Sequence, residues 1–138
     1  MILKDLAIAL NGKVQDGYII DVLPILEGRQ GDISVLQVVV EGFDELPIYV
    51  TATEEQILCV TNLFSKSEIS SELLTELNEI LLKLSVNIPL SSIGLIDNEY
   101  VMFGAISVQS SNDAIAHELV TQSENALEAL RALEEFLN

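Results

Sequence analysis

Residues 33–40, ISVLQVVV, are apolar at both alternating sets of positions apart from Ser34 and Gln37. Successive side chains of a β-strand point to opposite faces of its sheet, so a strand of this composition belongs inside a sheet. The segment predicts a central strand that helices cover on one face and that is only partly shielded on the other. The rest of the chain has to supply neighbouring strands and a helical layer.

Five other segments have the short, β-branched or aromatic character of strands. The first contains Pro24, which predicts an edge or a bulge there. The last two are joined by residues 97–99, whose Asp-Asn pair favours a hairpin turn. A turn with two glycines is expected at residues 27–32. The segments are residues 17–26, 46–52, 57–64, 92–96 and 100–108.

Residues 53–64, TEEQILCVTNLF, admit two interpretations. The spacing of Thr53 and Gln56 matches a helix capping box. Residues 57–64 are rich in β-branched side chains, however, and TEE serves equally well as a hairpin turn. A strand is favoured because a meander of four strands shields the edges of residues 33–40 better.

Three segments have the period of amphipathic helices. Residues 2–10 end at an Asn-Gly pair, residues 70–85 carry a broad leucine stripe, and a last helix begins near Ser111. The element order is α-β-β-β-β-α-β-β-α. This order predicts an α+β fold, a curved antiparallel sheet with helices packed on one face, in a single domain over residues 1–138.

The last helix carries a stripe of small residues in its first half and leucines in its second half. Small residues let a helix approach a sheet or a second helix closely. The stripe therefore has two interpretations: it packs only on the sheet of its own chain, or it contributes to a partner or two-fold dimer interface. The interface candidates are Leu119, Ser123, Ala126, Leu130, Leu133 and Leu137.

The chain of 138 residues is 49% hydrophobic, and six Lys and Arg against 22 Asp and Glu give it a net charge of −16. The size and apolar content suit one domain with a substantial core. The negative potential repels nucleic acid phosphates and anionic lipid head groups, so neither is expected as a partner. Acidity favours a basic or amphipathic partner, or it only keeps an apolar protein in solution.

The single cysteine, Cys59, excludes an internal disulfide and fits a reducing compartment. The apolar N-terminus is interrupted by Lys4 and Asp5 and lacks the form of a signal peptide. No segment approaches the ~18 apolar residues of a membrane helix. We therefore expect a cytoplasmic protein without membrane insertion.

Residues for nucleophilic and metal chemistry are scarce. His117 is the only histidine, and no local motif pairs it with a serine or with Cys59. Cys59 lies in an apolar run without a basic neighbour, which indicates an inert core thiol. The carboxylates lack calcium-loop spacing, and residues 89–95, PLSSIGL, lack the glycines and lysine of a phosphate loop. We expect no catalytic centre, metal site or cofactor.

Residues 89–95 are instead interpreted as the entry into the hairpin. Pro89 keeps the preceding helix from continuing, and Ser91 and Ser92 offer local hydrogen bonds to the turning backbone. Gly94 and Gly104 are expected to let the strands bend or to admit a close neighbour from a covering helix.

PLSSIGL, followed by EYVMFGAISVQSS and a helix containing ENAL, resembles the C-terminal half of the YjfI family, bacterial proteins of undetermined function. The likeness extends from Pro89 onward, and the earlier residues match only in the order of elements. It favours a strand at residues 56–64. It supplies no catalytic residues.

The element order also resembles the type III secretion chaperone fold and YbjN-like domains, which are small, acidic and often dimeric. YjfI family members tend to be encoded near a PspA-like membrane-stress protein, which the resemblance implies as a partner. Fold alone does not fix function.

These observations predict a non-catalytic protein-binding module, chaperone- or adaptor-like, in a bacterial cytoplasmic system associated with envelope stress, and a homodimer. The alternative prediction is a small-molecule or divalent-cation-binding protein, or an enzyme, that uses dispersed acidic residues.

Overall fold

The computed structural model describes residues 2–27 and 32–137. These residues form three α-helices and seven strands in the order α-β-β-β-β-β-α-β-β-α, which is the predicted order with one short strand added. The helices are α1 (Ile2–Leu10), α2 (Leu74–Val86) and α3 (Asn112–Ala132). The strands are β1 (Val14–Gln15), β2 (Tyr18–Glu27), β3 (Asp32–Val40), β4 (Ile48–Ala52), β5 (Gln56–Ser65), β6 (Ser92–Ile96) and β7 (Glu99–Ser107).

The strands form one sheet in the order β1-β2-β3-β4-β5-β7-β6, and every pairing is antiparallel. The predicted fold class is thus confirmed. β3 lies inside the sheet, as its composition predicts. The register of β2 against β3 shifts between Ile25 and Leu26, one residue beyond Pro24, which agrees with the predicted bulge. Most of the expected two-glycine turn, residues 28–31, lies outside the described residues.

The ambiguous segment is a strand, β5, and Thr53 belongs to the hairpin turn before it. The hydroxyl of Thr53 accepts hydrogen bonds from the backbone N–H groups of Glu55, at 3.2 Å, and Gln56, at 3.0 Å. A threonine hydroxyl that accepts the backbone N–H groups two and three residues onward is found both at the start of a helix and in a tight turn. The sequence pattern is therefore the same for the two structures. Pairing with β4 and β7 decides between them.

All three α-helices pack on one face of the sheet. Helix α1 and the first half of α3 cover β2 to β5, and α2 and the end of α3 cover the other half. The core on this face is formed by alternate residues of the strands, for example Leu36, Val38 and Val40 of β3, each fully buried. Period-two burial of this kind indicates a sheet with one covered face.

Helix α2 begins later than predicted, because a short 3₁₀ turn occupies Ser71–Leu73. The leucine stripe still faces the sheet, and Leu77 and Leu81 are buried. Helix α3 begins as expected, since the Ser111 hydroxyl accepts the N–H of Ala114 at 3.1 Å.

Candidate functional site

The sheet face opposite the helices, called the open face below, is the most distinctive surface of the protein. None of the three α-helices packs on it, and its side chains are mostly half-buried or exposed. Apolar side chains nevertheless dominate it. They are Ile19, Leu23, Ile25, Val35, Val39, Tyr49, Leu58, Val60, Ile96, Val101, Phe103 and Ala105.

One row of paired residues crosses the open face from β2 to β6. Strand register places these residues side by side, so their side chains form a continuous band. Its two largest exposed side chains are Leu23, 60% exposed, and Phe103, 39% exposed. This central row consists of Leu23, Gln37, Tyr49, Val60, Phe103 and Ser92.

Two glycines flank this surface for different reasons. A Cβ on Gly94 would stand 3.0 Å from Cε1 of Phe103, so the glycine leaves room for the aromatic ring on the open face. A Cβ on Gly104 would meet the carbonyl oxygen of Leu90 at 3.2 Å and Oε1 of Gln122 at 3.3 Å. The predicted close neighbour from a covering helix is therefore confirmed at Gly104, whereas the neighbour of Gly94 comes from the adjacent strand β7.

The edge of β2 is closed against strand addition. The N–H of Ile20 donates to the carbonyl of Lys13 at 2.9 Å, and the N–H of Val22 donates to Oδ1 of Asn11 at 2.9 Å. The next residue whose nitrogen faces outward is Pro24, which has no N–H. Unpaired edge donors invite pairing with another chain, and here they are occupied or missing.

The opposite edge, β6, carries a similar cap. The N–H of Ile93 points away from β7 and donates to the hydroxyl of Ser85 in α2 at 3.1 Å. A side chain from a neighbouring helix or turn thus occupies one edge donor at each end of the sheet. The chain protects its edges while leaving an apolar face uncovered.

Helix α3 holds the loop before β6 through buried amides that sequence patterns did not indicate. Nδ2 of Asn125 donates to the carbonyl of Pro89 at 2.8 Å and approaches Oγ of Ser91 at 3.4 Å. Nε2 of Gln122 donates to Oγ1 of Thr61 at 3.0 Å. The Asn125 contacts fix residues 89–91 on α3, in keeping with the predicted structural role of PLSSIGL, and the Gln122 bond ties α3 to β5.

The structure places four of the six predicted interface residues inside the core of their own chain. Ser123, Ala126 and Leu133 are fully buried and Leu119 is 1% exposed, which corrects their assignment to a contact with another molecule. The helix stripe packs on its own sheet because α3 lies along the covered face. Leu130 and Leu137 are half-buried, and for these two the interface stays a prediction.

The residues considered for catalysis lie apart from the open face. Nδ1 of His117 is 2.7 Å from Oδ2 of Asp16, and both side chains are about half exposed. Cys59 is buried on the covered face, where burial, with a smaller contribution from Glu118, raises its pKa to about 12. Burial also raises the pKa of Glu118, and the nearby His117 partly opposes that shift. The thiol is thus neutral, as an inert core cysteine should be.

The helical side also carries several grooves in the described part of the chain. One, of about 570 Å³, is bounded by Asp44, Glu45, Leu63 and Leu130 among others, and a smaller one of about 300 Å³ lies between α2 and β6. Within residues 2–27 and 32–137, no three His, Cys, Asp or Glu side chains are grouped to hold a metal ion. No helix in the described part of the chain is long and apolar enough to cross a membrane.

Comparison with protein families settles the family. A family described as "Uncharacterized protein conserved in bacteria (DUF2170)" matches residues 3–137. The chain belongs to this family. The "Uncharacterized protein YjfI" of Escherichia coli (strain K12) is 30% identical over 107 residues, which cover 75% of this chain and 79% of that protein. The same protein of Escherichia coli O157:H7 matches equally well. The predicted resemblance to YjfI is confirmed, and the family match also includes the N-terminal half.

Among solved structures, YbjN of E. coli, described as a putative transcription regulator, has a TM-score of 0.54 at 15% identity. The match covers 85% of this chain and 86% of that chain. The crystal structure of the ExsC–ExsE complex has a TM-score of 0.48 at 13% identity and covers 94% of this chain and 89% of that chain. The likeness to YbjN confirms the predicted fold and, at this identity, the fold alone.

Proposed function

We propose that this protein is a non-catalytic protein-binding module, chaperone- or adaptor-like, whose partner docks on the open face. The observation that carries the proposal is the central row: Leu23, Tyr49, Val60 and Phe103 place apolar side chains on four of its six strands, and none of the three α-helices packs over them. A sheet normally buries one face and leaves a polar second face in water. Here the second face is apolar as well.

Contact with water makes an exposed apolar face unfavourable. Leaving apolar surface hydrated costs about 25 cal/mol for each Å² that a partner would otherwise cover. Monomeric proteins seldom expose a large contiguous apolar patch, and such patches commonly mark interaction surfaces. The capped edges of β2 and β6 also support the proposal. They hinder edge-to-edge pairing with other chains, and yet the open face remains apolar.

The proposal treats the protein as a binder, not an enzyme, because its reactive groups are engaged or suppressed. The ring of His117 contacts a carboxylate, and Cys59 is buried with a raised pKa. Neither group faces the surface that is most available to another molecule. A nucleophile needs a base positioned beside it, and the described contacts provide no such pair.

We extend the proposal to the cellular setting that the family resemblance implies. The protein acts in the cytoplasm within an envelope-stress-associated system, and a PspA-like membrane-stress protein is its partner. Two-fold self-association is proposed separately, through the half-buried Leu130 and Leu137. Gene proximity in the YjfI family supports this setting.

The test uses site-specific photo-crosslinking in host cells. A photo-crosslinking amino acid at Tyr49, in the central row, is compared with one at Ile8, which is 73% exposed on α1. We expect discrete protein adducts at Tyr49 that Leu23→Ser removes, and none of these adducts at Ile8. Equal products at both positions, or none at Tyr49, would refute docking on the open face. The size and sequence of an adduct distinguish PspA, another protein or a second copy.

The groove beside Asp44 and Glu45 favours the second candidate function, binding of a small molecule or divalent cation. Its volume of about 570 Å³ lies within the usual range for ligand sites. Calorimetric titration with metals and metabolites, with ionic strength held constant, tests it. Heat that Asp44→Asn abolishes would support a site in this groove.

A further inference from the structure

We infer that the occupant of the open face is an amphipathic helix whose apolar stripe is flanked by lysine or arginine. This inference rests on the proposed function and specifies the chemistry of the partner. It follows from two features of the sheet: the backbone groups that it offers, and the distribution of charge around it.

The first feature disfavours an extended peptide as the occupant of the open face. A strand needs backbone partners, which a sheet supplies only at its edges. The outward donors of β2 at Ile20 and Val22 are occupied and Pro24 has none, while at the β6 edge Ile93 is bonded to Ser85 and Leu95 is the other residue whose N–H faces outward. The open face offers side chains alone. An occupant of this face must satisfy its own backbone, which an α-helix does internally.

The dimensions of the face suit a helix. Six strands about 4.8 Å apart give the central row a length of about 24 Å. A helix of about 16 residues has the same length, and a helix is about 10 Å across. One helix would therefore cover the row without reaching the strand ends, since even the five-residue strands β4 and β6 are about 17 Å long.

The second feature is the sign of the charge. Among the acidic side chains that strand register places on the open face are Asp21, paired with Val39, and Glu99, paired with Ile96. Both are exposed, as are the acids of the adjoining turns. These turn acids are Glu41, Glu54, Glu55 and Asp97, and the exposed Glu27 and Asp32 form the last pair of β2 with β3.

The described lysines and arginine are concentrated in the helical layer. Lys4, Lys83 and Arg131 belong to the helices, and Lys13 contacts Asp113 at the start of α3 at 2.6 Å. Of the cations in the described ranges, Lys13 and Lys66 adjoin the sheet, directly before β1 and directly after β5. Complementary charge around an apolar centre speeds encounter and selects the partner. A second copy, which carries the same net charge of −16, would bring acid against acid.

The test uses synthetic peptides of about 18 residues with a leucine stripe, whose flanks are lysine in one peptide and glutamate in the other. A third peptide has the lysine composition in scrambled order. Binding is measured by fluorescence anisotropy in low salt and in 0.3 M NaCl. We expect the lysine helix alone to bind, with affinity that falls as salt rises.

Matched variants locate the peptide on the protein. Asp21→Asn with Glu99→Gln should weaken binding of the lysine helix roughly three- to tenfold. Glu72→Gln with Glu76→Gln, which remove equal charge from the 3₁₀ turn before α2 and from the first turn of α2, should not. Leu23→Ser should weaken binding at least about tenfold, and Ile8→Ser should leave it unchanged. Leu23 and Ile8 are 60% and 73% exposed, so both variants should fold.

The outcomes separate the inference from the proposed function. Failure of the lysine helix to bind, or equal binding of the glutamate helix, overturns the inference about the partner, and crosslinking at Tyr49 still decides the proposed function. Weaker binding in Glu72→Gln with Glu76→Gln, but not in Asp21→Asn with Glu99→Gln, would also overturn the inference. A concentration-dependent dimer that Leu23→Ser dissociates identifies a second copy as the occupant and refutes the inference.

Discussion

The thiol of Cys59 faces the helices from the middle of β5 and is 2% exposed. Burial raises its pKa from 9.0 to about 12, so the folded chain retains this proton to a higher pH than the unfolded chain does. The resulting stabilisation is complete below pH 9 and is lost as the pH rises towards 12. We expect the free energy of unfolding to fall more steeply between pH 9 and 10.5 in the wild type than in Cys59→Ala, by roughly 1–2 kcal/mol.

Urea unfolding at several pH values, followed by circular dichroism, measures this difference. Cys59→Ala removes the thiol and leaves every other titratable group in place, so it is the appropriate control. Its own loss of packing lowers stability at every pH and does not affect the comparison of slopes. Parallel pH curves for the two proteins would contradict a buried, neutral thiol.

At the residue scale, the sequence predicted what a residue does locally and missed what it does across the fold. The inert character of Cys59 and the cap at Ser111 follow from neighbouring residues alone. Gln122 and Asn125 gave no signal, because an amide in a helix looks like a solvent-facing residue until its partner is known. Their partners, Thr61 and Pro89, are 61 and 36 residues distant in sequence.

Helix α3 and its C-terminal turn allow a direct test of the correction made to the interface residues. Leu133 is fully buried and Leu130 is half-buried beside it. We expect Leu133→Asp to lower the free energy of unfolding by roughly 3–5 kcal/mol, because it buries a charge without a partner. Leu130→Asp should lower the free energy of unfolding clearly less than Leu133→Asp does. Urea unfolding combined with light scattering checks both, and a folded Leu133→Asp monomer derived from a wild-type dimer would return Leu133 to an interface.

The edge strands give a second prediction at this scale. Asn11→Ala and Ser85→Ala should each free an edge donor, at Val22 and Ile93, and cost about 1 kcal/mol of stability. We expect faster aggregation on gentle agitation, seen by light scattering and thioflavin T fluorescence. Asn11→Asp and Ser85→Thr retain an acceptor oxygen and should behave as the wild type. Aggregation that is equal in the alanine and acceptor-retaining variants would show that the caps do not protect the edges.

The sequence predicted whether an element is a helix or a strand where the hydrophobic period of the segment agreed with its composition. The leucine stripe of α2 and the alternation in β7 are examples. The segment of β5 was harder, since Thr53 fits a turn and a cap equally well, and only long-range pairing with β7 resolves it. The two-residue strand β1 is too short to produce a periodic signal, and the interior position of β3 followed from its two apolar faces.

The whole molecule combines a charge of −16 with an apolar sheet face, and the sequence predicted both features. The position of the α3 stripe determines which sheet face stays open. From the sequence, this stripe could pack either on its own sheet or on another chain. The structure resolves this by placing all three helices together. The partner chemistry inferred above thus depends on a property of the assembled fold.

Net charge of this size leads to a prediction about salt. Mutual repulsion among the carboxylates destabilises the compact state, and salt screens it over a Debye length of about 10 Å at 0.1 M. We expect the Tm to rise by several degrees between 10 and 200 mM NaCl. Thermal unfolding in NaCl, MgCl₂ and CaCl₂ at equal ionic strength measures the effect. If repulsion is diffuse, the three salts give similar curves. A rise that saturates at micromolar Ca²⁺ or Mg²⁺ would instead reveal a specific cation site, and Asp44→Asn would show whether that site lies in the groove beside β4.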